Sequence, residues 1–294
     1  MNAPIADYPF RSNYRTTPDG HRQHYVDEGA GAPVVMLHGN PTWSFYYRRL
    51  ISSLVGQGFR ALAPDHIGCG LSDKPGDDRY PYRLARRVED FGGFIDHLNL
   101  PGTFDLVVHD WGGMIGFAWA VQHPERIRRL VVLNTAAFPL PKTKKMPWQL
   151  RLGRDSSLGA LLVRGANAFA AGATWMAVKK PLQPEVKRGY LLPYDSWDHR
   201  IATLRFVQDI PLGPEDPGWD ILTQTEANLG RLAEKPMLIA WGLKDFVFDH
   251  HFLSTWEQHF PKASVHRFEE AGHYVLEDAR DAILPLVQDH LRPS

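Results

Sequence analysis

VVHDWGG, residues 107–113, carries the reading of this chain. The run that it closes, FDLVVHD (104–110), has the unbroken apolar character of a buried strand, and GMIGFAWAVQH (113–123) behind it has the character of a helix. A strand passes to a helix here through one or two residues. Glycines at 112, 113 and 116 let the two elements approach closely. This is the strand–turn–helix elbow that lifts its central side chain above a sheet and aims the next backbone N–H at the same point. The central residue is Asp110, where other elbows carry Ser or Cys. A carboxylate is already ionised at neutral pH, so it attacks an electrophilic carbon without a base and forms an ester. Asp is also a good helix N-cap, which is the structural alternative.

The same rhythm extends outward from the elbow. VVMLHG (34–39) and FRALAPD (59–65) read as strands before it, and LVVLN (130–134), PMLIAWG (236–242) and ASVHRF (263–268) as strands after it. Helical spacing occupies 45–55, 82–99, 250–259 and 276–291. Continuous apolar runs separated by helices predict an α/β fold with a doubly wound, mostly parallel sheet covered on both faces. Residues 135–230 break the pattern, with Pro, Trp and Ala in helix-like stretches and no strand. They are expected to form a helical cap inserted into a core made of 1–134 and 231–294. Such a cap would lie over the carboxyl ends of the strands, where ligands bind in open α/β sheets. Within it, GALLVRGANAFAAGATWMAV (159–178) approaches the length of a membrane span but is interrupted by Arg164 and Asn167. It reads as a pocket-lining helix pair, with contact to a membrane surface or a lipid-like substrate as the lesser reading.

Composition narrows the function. The 294 residues hold 33 Lys+Arg and 33 Asp+Glu, so no general attraction for nucleic acid or for anionic lipid is expected. A single cysteine, Cys69, rules out an intramolecular disulfide and a multi-thiolate zinc site. No ligand cluster or dinucleotide fingerprint appears, so no metal and no organic cofactor is expected. The opening MNAPIADYPFRSNYR lacks a basic segment followed by an apolar run, which predicts a cytoplasmic enzyme or binding protein.

Three further motifs answer to the elbow. HGNP (38–41) follows a strand and places Asn40 where a loop N–H would face the N–H of Trp111 across the site. The side chains of Asn40 and Trp111 are donors as well, suited to a halide or a developing carboxylate. AWGLKDFVFD (240–249) ends a strand and brings Asp245, with Asp249 as a competing acid further from the strand end. EEAGHYVLED (269–278) brings His273, which would activate water, while Asp245 would hold its tautomer. Asn134 is a poor alternative acid because it carries no charge. His38 and His109 are expected to support loops, and GCGLS (68–72) is no phosphate cradle because no Lys-Ser/Thr follows it.

With HGNPTWSFYYRRL, DHIGCGLSDKP, VVHDWGG, WGLKDFVFD and AGHYVLED in order over nearly its whole length, the chain resembles the haloalkane dehalogenase family of α/β-hydrolases. The resemblance implies the α/β-hydrolase fold, Asp110 as nucleophile, His273 as base, Asp245 as acid, and Asn40 and Trp111 as leaving-group donors. The Asn–Trp pair with a late acid looks like the third subfamily. The first would use a cap Trp, and the second a Glu where Asn134 stands. That third subfamily also holds the β-lactone decarboxylases of long-chain olefin biosynthesis. The segments NTAAFPLPKTKKMPWQ (134–149) and LPYDSWDHRIATLRFVQDIPL (192–212) look most like theirs. The expected reaction is decarboxylation of a long-chain cis-β-lactone to a cis-alkene and CO2, with hydrolysis of a haloalkane to alcohol and halide as the alternative. Epoxide hydrolysis, with Tyr190 and Tyr194 as donors, and a non-catalytic binder of hydrophobic ligands stand further off. The implied partner is a small apolar substrate. The cap leaves room for other enzymes of a lipid or olefin pathway, and membrane contact is allowed but not predicted.

Overall fold

In the computed structural model, which describes residues 5 and 7–292, the apolar runs become strands of an eight-stranded sheet. The strands are β1 (Asn13–Thr16), β2 (Arg22–Glu28), β3 (Pro33–Leu37), β4 (Arg60–Pro64), β5 (Phe104–Asp110), β6 (Ile127–Thr135), β7 (Met237–Gly242) and β8 (Ser264–Phe268). Their spatial order is β1-β2-β4-β3-β5-β6-β7-β8. Pairing is parallel from β4 to β8 and antiparallel where β2 meets β1 and β4. Every residue of β5 is buried, as a central parallel strand covered on both faces requires.

The hairpin β1–β2 is absent from the pattern read in the sequence. RQHYVDE is too polar to register as a strand, yet Gln23 and His24 are buried in it. Each is satisfied by a partner distant in sequence or across the hairpin. Arg15 donates to Gln23 Oε1 at 2.6 Å, and His24 Nδ1 lies 2.8 Å from Asp65 Oδ2.

Helices α1 (Arg48–Val55), α2 (Leu84–Leu98) and α3 (Trp111–Ala120) join the strands up to β6, and α10 (His250–His259), α11 (Val275–Asp278) and α12 (Arg280–Leu291) follow β7. Val35 and Leu37 of β3 pack with Phe91, Phe117 and Trp256 of α2, α3 and α10. Val34 and Met36 pack with Ile51 of α1 and Val287 of α12 on the other face. Between β6 and β7 the described chain is helical without strands: α4 (Trp148–Asp155), α5 (Ser157–Gly165), α6 (Ala168–Met176), α7 (Pro184–Leu191), α8 (Ile201–Gln208) and α9 (Trp219–Asn228). The stretch 159–178 is a helix pair, broken where Asn167 takes a left-handed backbone with φ 53°. Among the described residues no helix is long and apolar enough to cross a membrane.

After β3 the chain winds to β4 on one side, and β5 returns to the other side. The crevice between the carboxyl ends of β3 and β5 is therefore the topological switch point. The elbow sits there, and close packing explains its glycines. A Cβ on Gly112 would lie 2.0 Å from the Leu37 carbonyl oxygen, and one on Gly113 would lie 1.9 Å from Thr135 Oγ1. The Leu37 oxygen belongs to the backbone and cannot rotate away. Gly112→Ala is expected to destabilise the fold by about 1–3 kcal/mol or more through overpacking. Urea unfolding should show a lower midpoint at unchanged slope, and an unchanged midpoint would contradict this packing account.

Candidate active site

Asp110 ends β5 with φ 53° and ψ −127°, a conformation that a non-glycine residue holds only when its surroundings impose it. Its carbonyl accepts the Thr135 hydroxyl, which fixes the turn from behind. Its side chain makes no capping bond to α3, so the helix-cap reading does not apply. The carboxylate instead faces the loops after β3 and β8. Oδ1 accepts the Asn40 backbone N–H at 2.6 Å, and Oδ2 lies 3.4 Å from His273 Nε2. The other ring nitrogen, His273 Nδ1, lies 2.8 Å from Asp245 Oδ2. The approach is close enough that a Cβ on Gly39 would meet Asp110 Oδ1 at 2.0 Å.

Asp245 is held by three donors. Its Oδ1 accepts the N–H groups of Val247 at 2.7 Å and Phe248 at 3.1 Å, and its Oδ2 accepts the Asn134 amide at 3.0 Å. Asn134 also exchanges hydrogen bonds with the Gly242 backbone, so it ties β6 to the loop that carries the acid. Asp249 is engaged elsewhere: it caps α10 through the His251 N–H and pairs with Lys144 at 2.6 Å. The His273 loop is anchored by its neighbours. His109 Nε2 donates to the His273 carbonyl at 2.9 Å, Asp278 accepts the Gly272 N–H at 2.8 Å, and Tyr274 N donates to Ala177 O of the cap at 2.8 Å. His38 donates to Gly39 O at 2.7 Å and accepts the His66 N–H at 3.0 Å. Cys69 is a buried loop residue, and burial pushes its thiol up to about 12.

Charge follows from this geometry. Burial alone would lower the pKa of His273, but the Asp245 charge and hydrogen bonds to both carboxylates raise it to about 10. Burial alone would raise that of Asp110, but His273 and the Asn40 N–H bring it below the ordinary value. His109 is driven to about 3, first by burial and then by the His273 charge, and stays neutral. The resting arrangement at neutral pH is a buried imidazolium between two carboxylates.

These groups form one wall of a cavity of about 300 Å³. Asn40, Asp110, Trp111 and His273 meet apolar residues of the cap there, among them Phe138, Leu162, Phe169 and Met176. The Trp111 indole N–H makes no hydrogen bond to the described residues. The Asn40 amide donates one bond, to Thr203 O at 3.0 Å, which leaves a second hydrogen free. Tyr190 and Tyr194 correct the expectation attached to them. Tyr190 donates to Glu277 at 2.5 Å and Tyr194 to Thr42 O at 3.4 Å, and neither lines the cavity. Epoxide opening thereby loses its two proposed donors.

The role of one element escaped the sequence reading. Helix α8 carries Thr203, which orients Asn40, and Phe206, whose ring meets Trp111 edge-on at 5.2 Å. Asp209, just past the end of α8, is clamped to α2 by Arg87 at 2.9 Å and Arg83 at 3.1 Å. The Arg87 guanidinium lies 3.8 Å over the Phe206 ring. Both candidate leaving-group donors therefore rest on one cap helix pinned to the core by a buried ion pair.

Fold and site define an α/β hydrolase with a helical cap and an aspartate at the elbow. The α/β hydrolase fold family matches residues 32–279. The chain is 50% identical to a cis-3-alkyl-4-alkyloxetan-2-one decarboxylase of Shewanella oneidensis over 94% of its own length and 86% of that protein. It is 46% identical to the enzyme of the same name from Xanthomonas campestris, over 97% of both chains. Among solved structures, a haloalkane dehalogenase of Agrobacterium tumefaciens superposes with a TM-score of 0.85 at 26% identity, covering 97% of this chain and 98% of that one. The chain belongs to the haloalkane dehalogenase family of α/β-hydrolases.

The ion pair under α8 can be tested on its own. Arg87→Met strands a buried carboxylate and is expected to cost about 3 kcal/mol, the low end for a broken buried pair because Arg83 remains. Arg87→Met/Asp209→Leu should recover most of that loss in urea unfolding. A double variant no more stable than the single would show that the pair is not what holds α8.

Proposed function

We propose that this enzyme decarboxylates a cis-β-lactone bearing two long alkyl chains, giving a cis-alkene and CO2. The observation that carries the reading is the similarity to two oxetanone decarboxylases, which extends through the cap that walls the cavity. Other enzymes of a lipid or olefin pathway would supply such a substrate.

The chemistry needs only groups that line the cavity. Asp110 attacks the tetrahedral, alkyl-bearing ring carbon bonded to the ring oxygen, not the carbonyl carbon, from the face opposite that oxygen. The carbon–oxygen bond breaks, and the oxygen leaves as part of a carboxylate that Asn40 and Trp111 can hold through their free N–H groups. The bond from carbon to this carboxylate then breaks. Its electrons form the double bond while the ester bond to Asp110 breaks, releasing CO2 and restoring the aspartate beside His273. Inversion at the first step followed by anti departure at the second converts a cis-lactone to a cis-alkene. No water is consumed. The His273 cation can stay protonated throughout, steadying Asp110 as its charge returns. Burying each chain methylene in the apolar cavity contributes roughly 0.8 kcal/mol.

Two experiments follow. In the first, kcat/KM for a dialkyl cis-β-lactone, read as alkene, is compared with that for a bromoalkane of similar length, read as bromide, with Asp110→Ala as blank. A preference for the lactone of about a hundredfold or more, ~2.7 kcal/mol in transition-state stabilisation, is expected. The reverse preference would make the protein a dehalogenase, and activity in the blank would end the covalent mechanism. The second is a pH profile. Asp110 has its pKa lowered, so alkene formation should hold steady from neutral pH downward until that carboxylate protonates. Ester hydrolysis after bromide release needs His273 to lose its proton, so steady-state bromide turnover should fall as pH drops. Alkene formation that falls in the same way would mean that His273 acts as a base in both reactions.

A further inference from the structure

The outer face of the cap is apolar where a protein surface is ordinarily polar. On α5, Leu158, Leu161 and Leu162 stand at the i, i+3, i+4 spacing of a buried stripe, yet they are 58, 57 and 38% exposed. The buried residues of that helix, Gly159 and Val163, occupy its other side. On α6, Trp175 is 68% exposed, and Trp148 at the start of α4 is 70% exposed. One exposed apolar residue needs no explanation, but five large ones on three consecutive helices do. Trp148 and Leu162 also line the cavity, so the patch reaches its mouth.

Charge identifies what this face meets. The whole chain is neutral, but residues 139–191 hold ten Lys and Arg against two acids, Asp155 and Glu185; of the ten, Lys144, Arg154 and Arg164 pair with Asp249, Asp216 and Asp198 outside that stretch. Beside Trp148, Lys142 and Lys145 form no ion pair with the described residues, and Arg151 reaches Asp155 only at 4.0 Å. Tryptophan and leucine set among uncompensated basic residues suit the headgroup zone of an anionic bilayer. A second copy of the chain suits it less, because a two-fold contact would oppose like charges. No described helix can span a bilayer, so the contact is at its surface.

We propose that this face of the cap docks on an anionic lipid surface with the cavity mouth turned toward the hydrocarbon, so that an apolar substrate enters without crossing water. Docking of this face does not depend on which reaction follows, and binding is read without substrate. The purified protein is floated with vesicles of phosphatidylcholine alone and with vesicles of equal parts phosphatidylcholine and phosphatidylglycerol. Binding to the anionic vesicles is expected, about tenfold weaker to the neutral ones, and weakened by added salt. The variant Leu158→Ser/Leu161→Ser/Trp175→Ser should lose about tenfold or more of that binding. It should unfold in urea at the wild-type midpoint, because all three residues are exposed, so that lost binding is not lost folding. Lys142→Glu/Lys145→Glu, which leaves the apolar patch intact, should lose binding to the anionic vesicles selectively. No binding to anionic vesicles overturns the proposal, as does wild-type binding by both variants. A vesicle-free dimer that the triple variant dissolves would also overturn it and assign the face to a second copy.

Discussion

Two carboxylates and an imidazolium lie buried in one line, Asp110 to His273 at 3.4 Å and His273 to Asp245 at 2.8 Å. Taking such charges out of water costs several kcal/mol for each ion unless every oxygen and N–H finds a partner. Much of the local structure supplies those partners. The turn after β7 gives two backbone N–H groups to Asp245, Asn134 gives an amide, and the loop after β3 gives the Asn40 N–H to Asp110. His109 cannot compete as a second cation, because burial and the neighbouring charge keep it neutral. It serves as a wedge, with its ring 4.5 Å from that of His273 and its Nε2 on the His273 carbonyl.

That line of charges can form because the winding order of the strands reverses between β3 and β5. The loops after β3, β5, β7 and β8 all leave from the same edge, so residues as far apart in sequence as Asn40 and His273 reach one cavity. The glycines of the elbow are then a condition of reach: a side chain at 112 would strike the β3 backbone before α3 could seat.

Legibility in the sequence follows the same logic. The parallel strands were readable because both faces are buried and their residues must be apolar, as in β5. The elbow and Asp245 were readable because each follows such a strand, and His273 because it follows the edge strand β8, which is paired to β7 although none of its residues is fully buried. The hairpin β1–β2 was not, because its buried Gln23 and His24 are made tolerable by Arg15 and Asp65, and such pairing leaves no periodic trace. Asn134 was set aside for want of charge, yet its amide is what Asp245 needs, since a donor and not an acid belongs there. Tyr190 and Tyr194 had the right chemistry but the wrong partners, and a hydroxyl's partner is a fact of the fold. The clamp between Arg87 and Asp209 spans 122 positions and involves residue types that ordinarily read as solvated surface.

Under the proposed mechanism, the imidazolium also bears on why one such site would suit two reactions. A displaced halide and a developing carboxylate both need neutral donors at the point of departure, and Asn40 and Trp111 can offer N–H groups to either. The reactions part afterwards. An alkyl ester on Asp110 has no internal way to leave, so water and a neutral His273 must follow. A ring-opened lactone carries its own leaving carboxylate, and loss of CO2 returns the charge that His273 is already protonated to receive. Two flanking carboxylates raise the pKa of His273 to about 10, and under the proposed mechanism a cation held there would suit that return better than taking a proton from water.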